Sequence, residues 1–517
     1  MNLKLKLYFL ILILFACPAF PQTTYYVSPD GDDSDSGISI EDAFESLQQA
    51  AEIVVPGDSV LVLVGTYTGF DLRTGGTSSL PIVFKALGQN VTINLTNPVT
   101  NDGINIESAD WIVIDGFKVI NQPRAGIRIV TSDFVIIRNN HCTENYRWGI
   151  FTGFTDNILI ENNTCALSED EHGIYVSNSG DNPVVRNNTC FANNGCGIQL
   201  NADASMGDDG IITNAIIEGN ILYDNGNGGG AAINLDGVQE SVIFNNLLYN
   251  NLATGIALFQ IDGAEGSRNN KVYNNTIVNP ENSRWAILVN TGSTGDTLYN
   301  NILINHHSFR GSISIDESSE QGFVSDNNII VNRLSDDDGE SNMSLSEWQS
   351  LGYDIHSLIA LPEEQIFANH TAGNFHLLEN SQASNTGTNL VSDIVLNDLD
   401  NLSRPQGTGY DIGAYEFTNP AGIKNDDELP SGFALYQNYP NPFNPVTSIQ
   451  FVISNRQFVS LNVYDILGNK VAALVNEAKP AGLYQVEFEA SNLSSGIYFY
   501  RLETEEFIST KKMILLQ

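Results

Sequence analysis

Charge is scarce in this 517-residue chain: 16% of residues are charged, and 61 Asp and Glu outnumber 23 Lys and Arg, giving a net charge of -38. So acidic a chain repels nucleic acid and anionic membranes, and a polyanionic substrate would need a cation bridge or a local basic patch. Sulfur is sparse too. The 5 cysteines contain no C-x-x-C pair, which removes the usual zinc and redox patterns. The acidic loops "DGDDSDSG" (Asp30 to Gly37) and "SDDDGE" (Ser335 to Glu340) lack the spacing of an EF-hand and read as solvated turns. Long apolar runs are missing after the start. The only one, "MNLKLKLYFLILILFACPAF", follows Lys4 and Lys6 with an apolar stretch and small residues, the pattern of a secretory signal over residues 1–22. With that removed, no segment is long enough to span a bilayer as a helix.

What is abundant is Asn, Gly and short apolar alternation. Asn pairs recur at Asn139-Asn140, Asn162-Asn163, Asn187-Asn188, Asn245-Asn246, Asn274-Asn275, Asn300-Asn301 and Asn327-Asn328, with "EGN" ending at Asn220 filling the gap. Successive steps of 23, 25, 32, 26, 29, 26 and 27 residues describe one coil with loops of varying length. Alternating strands precede each pair, and a second strand opens at Gly149-Ile150, Gly173-Ile174, Gly197-Ile198, Ala232-Ile233, Gly255-Ile256 and Ala286-Ile287. Strands this short bury a face only by stacking coil on coil, which makes an all-β parallel β-helix. Asn side chains stacked along a turn would bond from coil to coil. Cys142, Cys165 and Cys190 fall two residues after successive pairs. They are expected as small buried hydrophobes in a core column, with disulfides the second reading.

Three stretches make the body similar to the pectate-lyase-like right-handed parallel β-helix superfamily. They are "YYVSPDGDDSDSG" with "DAFESLQQAAEIVVPGDSVLVLVGTYTG", the coil series, and "NFHLLENSQASNTGTN" with "LSRPQGTGYDIGAYEF". The resemblance implies a right-handed solenoid over residues 23–417 and leaves the reaction open, because the fold hosts lyases, hydrolases, epimerases and adhesins. The helical spacing of Ala43 to Ile53 predicts a cap on the first coil. Residues 418–428 read as a linker. Residues 429–517 read as a small Ig-like β-sandwich, and "YPNPFNP", "VYDILGNKV", "SGIYFYRL" and Lys511-Lys512 closely resemble the C-terminal sorting domain of type IX secretion substrates. That resemblance implies engagement with the type IX machinery and release from, or attachment to, the outer surface of a Gram-negative cell. A monomer is expected.

Alternation places Ile174, Ile198, Ile233 and Ile256 inward, so Tyr175, Gln199 and Asn234 point outward, followed by Ser177, Asn201, Asp236 and Phe259. Unusually long loops beyond this column carry Asp203, Asp208, Asp209 and Asp262. Tyr175, Gln199, Asn201, Asn234 and Phe259 are candidate substrate contacts. Asp203, Asp236 and Asp262 are candidate Ca2+ ligands, which would acidify the C5 proton of a uronate, and Asp236 is a candidate catalytic carboxylate as well; Asx turn capping is the competing reading. Lyases of this kind need a base. Lys271 is the foremost candidate because its column otherwise holds Ile136, Leu159, Val184, Ile216 and Val242, although that column is not the one carrying the acids and a solvated edge residue is the equal alternative; Arg147 is a further candidate, and Arg268 and Arg284 are candidate substrate contacts. His172 in "EDEHGIYVS" neighbours Glu169, Asp170 and Glu171, which would raise its pKa, and is a candidate acid or base, with a plain surface-loop histidine the stronger competing reading. Arg138, Glu161, Arg186 and Glu218 read as a structural charge ladder. The expectation is a secreted carbohydrate-active protein, foremost a Ca2+-assisted polysaccharide lyase on a uronate glycan. The alternatives are a glycoside hydrolase using paired groove carboxylates and a non-catalytic glycan-binding or adhesive protein.

Overall fold

The computed structural model describes residues 22–418 and, with short interruptions, 434–515. The signal segment and most of the linker lie outside the described residues. The chain divides into two compact units, Met1–Thr418 and Asn419–Gln517.

The first unit is a right-handed parallel β-helix of about 12 turns. Three parallel sheets run its length: sheet 1, which starts at Thr24–Val27, and sheet 2, which starts at Gly65–Thr68, have 12 strands each, and sheet 3, which starts at Phe70–Leu72, has 11. One coil visits them in turn, as in Ile136–Arg138, His141–Thr143 and Trp148–Gly153. Inward residues stack in register, so Ile150, Ile174, Ile198, Ile233 and Ile256 form one fully buried column. Each such Ile contributes roughly 1.5–3 kcal/mol of burial. Cys142, Cys165 and Cys190 stack in register in sheet 2, fully buried and free of disulfides.

The Asn pairs divide their labour. The first member of each pair has φ between 51 and 58°, the left-handed region that Asn tolerates, and Gly219 takes that place in "EGN" at φ 63°. The second member builds the ladder. From Asn140 through Asn163, Asn188, Asn220, Asn246, Asn275 and Asn301 to Asn328, each Nδ2 donates to the next Oδ1 at 2.9–3.1 Å. Each Oδ1 also accepts the previous Asn backbone N–H, so the ladder amides from Asn140 to Asn301 are all paired.

Both ends differ from the coils between them. The cap is an α-helix at Leu47–Ile53 that buries Leu47, Ala50 and Ala51. It starts four residues later than the sequence spacing predicts, because Phe44 bridges to Val27 and the Ser46 side chain accepts the Gln49 N–H as N-cap. At the other end the chain turns back along the outside of the solenoid. Ile366, Phe367 and Phe375 pack on Leu247, Val278, Ile302 and Ile304 of sheet 2, while Val391, Val395 and Tyr410 pack on Phe244 and Tyr273 of sheet 1. This strap is pinned by the left-handed Asn residues: Asn245 donates to Asn397 O, Asn274 to Asp411 O and Asn300 to Thr388 O. Arg404, buried completely, pairs with Glu416 at 2.8 Å and donates to Gly413 O and Asn245 Oδ1. The strap covers the corner of sheets 1 and 2.

The second unit holds a three-stranded and a four-stranded antiparallel sheet, with Phe451, Leu461, Val463 and Tyr500 in its core. Its small β-domain architecture is the expected one.

Candidate functional site

Sheet 3 presents outward columns whose register agrees with the alternation in the sequence. Phe151, Tyr175, Gln199, Asn234 and Ala257 stand side by side, and Ser177, Asn201, Asp236 and Phe259 form the next column. Loops from four coils rise around the first column and enclose a cleft of about 360 Å³. Its walls come from Asp170 to His172, from Asn194 to Cys196, from Gly228 to Gly230, and from Asp262.

His172 is packed into this wall, with 18% of its side chain exposed. Its Nδ1 accepts the Cys196 backbone N–H at 3.0 Å, which leaves the neutral ring its proton on Nε2. This close approach needs Gly195, where a Cβ would lie 2.6 Å from His172 Nδ1. The acidic neighbours predicted a raised pKa, and the structure reverses that sign: burial first, then the Arg147 charge, lowers it to about 4. Glu171 does not rescue the imidazolium, because its carboxylate is engaged by the Arg147 guanidinium and by Trp148 Nε1 at 2.7 Å. Arg147 in turn lies over the Trp148 ring at 4.6 Å. Trp148, Phe151, Tyr175 and His172 continue as an aromatic series with centroid separations of 4.5, 5.4 and 5.2 Å.

An amide links the acid–base groups. Asn201 Nδ2 donates to Tyr175 OH and to Asp262 Oδ2, both at 3.2 Å, so a phenol and a carboxylate are held by one nitrogen. Burial pushes the Tyr175 phenol up to about 12, against the Asn201 hydrogen bond, so it keeps its proton at neutral pH. On the next coil Gln199 Oε1 accepts from Asn234 Nδ2 at 2.6 Å and from the Cys196 thiol at 3.2 Å.

Of the candidate residues, His172, Tyr175, Gln199, Asn201, Asn234 and Asp262 all line the cleft. Asp236 is 1% exposed, and its carboxylate accepts the backbone N–H groups of Ile261, Asp262 and Gly263 at 2.9, 2.8 and 3.1 Å. It shapes the loop that carries Asp262. Asp203 caps a short turn by accepting Ser205 N and Oγ at 2.8 and 2.6 Å. These three aspartates do not fit a cation together: two are spent on backbone, and among the described residues no cluster of three His, Cys, Asp or Glu is placed to hold a metal. Lys271 is exposed on sheet 1, beside Val242 and Thr297, and does not line the cleft. Arg268 pairs with Glu265 at 2.7 Å. Arg284 is exposed near the rim, where a Cβ on Gly229 would meet its guanidinium at 3.8 Å. Phe259 is half-buried beside Asp236 in the second column.

Cys196 and Glu171 also line the cleft, with Arg147 paired to Glu171 outside the lining, and Cys196 went unassigned in the sequence. The signal for it lies in the register. Aligning Gly149-Ile150, Gly173-Ile174, Gly197-Ile198 and Ala232-Ile233 puts Trp148, His172, Cys196 and Ala231 in one column, away from the sheet 2 cysteines.

Residues 85–229 match the family described as the right handed beta helix region, and residues 437–516 match the secretion system C-terminal sorting domain. The body is thus a right-handed parallel β-helix and the tail a sorting domain, which marks the chain for secretion by the type IX route. No curated protein matches the chain. Among solved structures, an alginate lyase from Paenibacillus sp. is similar at 18% identity and TM-score 0.41, over 52% of this chain and 94% of that one. A rhamnogalacturonan lyase is similar at 16% identity and TM-score 0.45, over 68% and 92%. The A-module of a mannuronan C-5 epimerase from Azotobacter vinelandii is similar at 16% identity and TM-score 0.35, over 52% and 90%. At such identities the likeness lies in the coil architecture alone.

Proposed function

We propose that this chain is a secreted carbohydrate-active protein whose sheet 3 cleft performs β-elimination on a uronate-containing glycan. The observation that carries the reading is the Asn201 amide holding a protonated phenol, Tyr175, and a carboxylate, Asp262, at 3.2 Å each. Elimination needs that pair. Asp262 accepts the proton from C5, the C4–O4 bond breaks as the C4=C5 double bond forms, and Tyr175 gives its proton to the departing oxygen. His172 Nε2–H is a neutral donor for the uronate carboxylate, and the Trp148–Phe151 rings offer apolar surface to a sugar face.

Hydrolysis by two carboxylates is less well served, because Glu171 is occupied by Arg147 and Trp148. Since Asp203 and Asp236 are committed to backbone, the elimination is written without Ca2+. A neutral glycan, bound or cleaved, is the second reading; it is favoured by the lack of Lys or Arg among the cleft-lining residues.

The test is to incubate the mature chain with a panel of uronate polysaccharides, with Ca2+ or with chelator, and follow ultraviolet absorbance of unsaturated ends and release of reducing ends. Expected is an absorbance rise that survives chelation and falls at least about a hundredfold in Tyr175→Phe. Reducing ends without absorbance would mean hydrolysis, and neither signal would leave binding. The pH profile adds a check. With a pKa of about 4, His172 stays neutral as pH falls past the ordinary histidine value near 6.5, so activity should persist to about pH 5 and be lost below it. A loss centred near 6.5 would contradict a buried neutral His172.

A further inference from the structure

The thiol of Cys196 is 1% exposed and sits at the base of the cleft, yet it packs in no core cluster with the sheet 2 cysteines. Its surroundings fix the direction of its proton. The Ala231 backbone N–H donates to Sγ at 3.4 Å, so the sulfur's own hydrogen is the one that reaches Gln199 Oε1 at 3.2 Å. Burial pushes the thiol up to about 12, which keeps that hydrogen in place. Room for the sulfur is made by Gly230, whose φ is 92° and where a Cβ would lie 2.6 Å from Sγ.

The consequence falls on Gln199. With Cys196 S–H and Asn234 Nδ2 both donating to its Oε1, the opposite amide orientation would set Gln199 Nε2 against two donors. The NH2 group is therefore the end turned to the cleft, and among the described residues it has no hydrogen-bond partner. The His172 tautomer, set by the Cys196 backbone, supplies another N–H on the same wall.

We propose that Cys196 is a positioning residue that locks the Gln199 amide with its NH2 toward the cleft, and that Gln199, together with His172 Nε2–H, reads a sugar carboxylate in preference to a hydroxymethyl group. A carboxylate offers two charged acceptor oxygens to these two N–H donors, whereas a hydroxymethyl group offers a single uncharged one. The inference rests on the glycan reading of the cleft and names what makes it choose uronate units.

The experiment uses the mature full chain and two probes: a uronic acid oligosaccharide released from the best polymer of the panel, and the same oligosaccharide after chemical reduction of its carboxyl groups. Binding is measured by calorimetry for wild type, Cys196→Ala, Cys196→Ser and Gln199→Glu, each checked for an unchanged unfolding midpoint. Expected is a wild-type preference for the acidic form, a drop in that preference of about fivefold in Cys196→Ala, as for one lost neutral hydrogen bond, recovery in Cys196→Ser, and loss of acidic-form binding beyond tenfold in Gln199→Glu. If Cys196→Ala unfolds, Cys196→Ser and Gln199→Glu still carry the test. Binding of both forms with equal affinity by wild type, or a preference that Gln199→Glu leaves intact, overturns the inference while the glycan reading stands. Binding of neither form by wild type overturns the glycan reading and this inference with it.

Discussion

The corner between sheets 1 and 2 and the open face of sheet 3 are made by the same coils, yet they obey different rules. At the corner the turns repeat one solution, a left-handed Asn, or Gly219 in one turn, followed by a ladder Asn, and the strap is laid over it. Along the cleft of sheet 3 four successive coils each present a different side chain: Phe151, Tyr175, Gln199 and Asn234 differ in shape and chemistry. Repetition satisfies backbone groups that no sheet can pair, while variation leaves a surface free to recognise something. Damage at the corner should therefore appear in stability, and damage on sheet 3 in function.

The largest expected effect is at the strap. Arg404→Ala leaves Glu416 buried without its partner and should cost about 3–5 kcal/mol, read as a lower denaturation midpoint with early hydrogen exchange in residues 383–416. A loss no larger than a surface substitution would break the division drawn above. A single rung comes next. Asn220→Ala removes the acceptor for the Asn188 N–H and Nδ2 and the donor to Val185 O, for about 2 kcal/mol. Tyr175→Phe, by contrast, should leave the midpoint unchanged.

The smallest effect has the opposite sign. At the corner between sheets 3 and 1, Asn270 Nδ2 donates to Asp296 Oδ1 at 3.0 Å, while Asp296 Oδ2 is buried without a partner. Burial pushes the Asp296 carboxyl up to about 8. Its folded value lies above the ordinary one, so its contribution is fully present below about pH 4 and is lost as pH rises through about 8. Asp296→Asn should remove that slope and stabilise the chain at pH 7 by on the order of 1–2 kcal/mol. An unchanged pH dependence of the midpoint would show that the carboxyl is not buried as described.

The coils, the Asn ladder and the outward column were legible because each follows from a period that sequence displays directly. The Cys142, Cys165 and Cys190 column was legible for the same reason. Two features of the cleft were not. The sign of the His172 shift depends on burial and on which partner Glu171 takes, and neighbours in sequence carry neither. Asp236 looked like a ligand because an acid in a long loop does, but its three backbone contacts arise only when the loop closes over it. Lys271 was different: the alignment already set its column apart from the acids, and the structure places it on sheet 1, another face of the prism.

The strap changes how the molecule can fail. A stack of coils held only by neighbours can come apart from its free end, one turn after another. Here Asn245, Asn274 and Asn300, from three successive coils, are fastened to one length of chain, so the final turns must let go together. For a protein working outside the cell, where no chaperone refolds it and proteases cut whatever frays, this turns a gradual erosion into an all-or-none event with a high threshold.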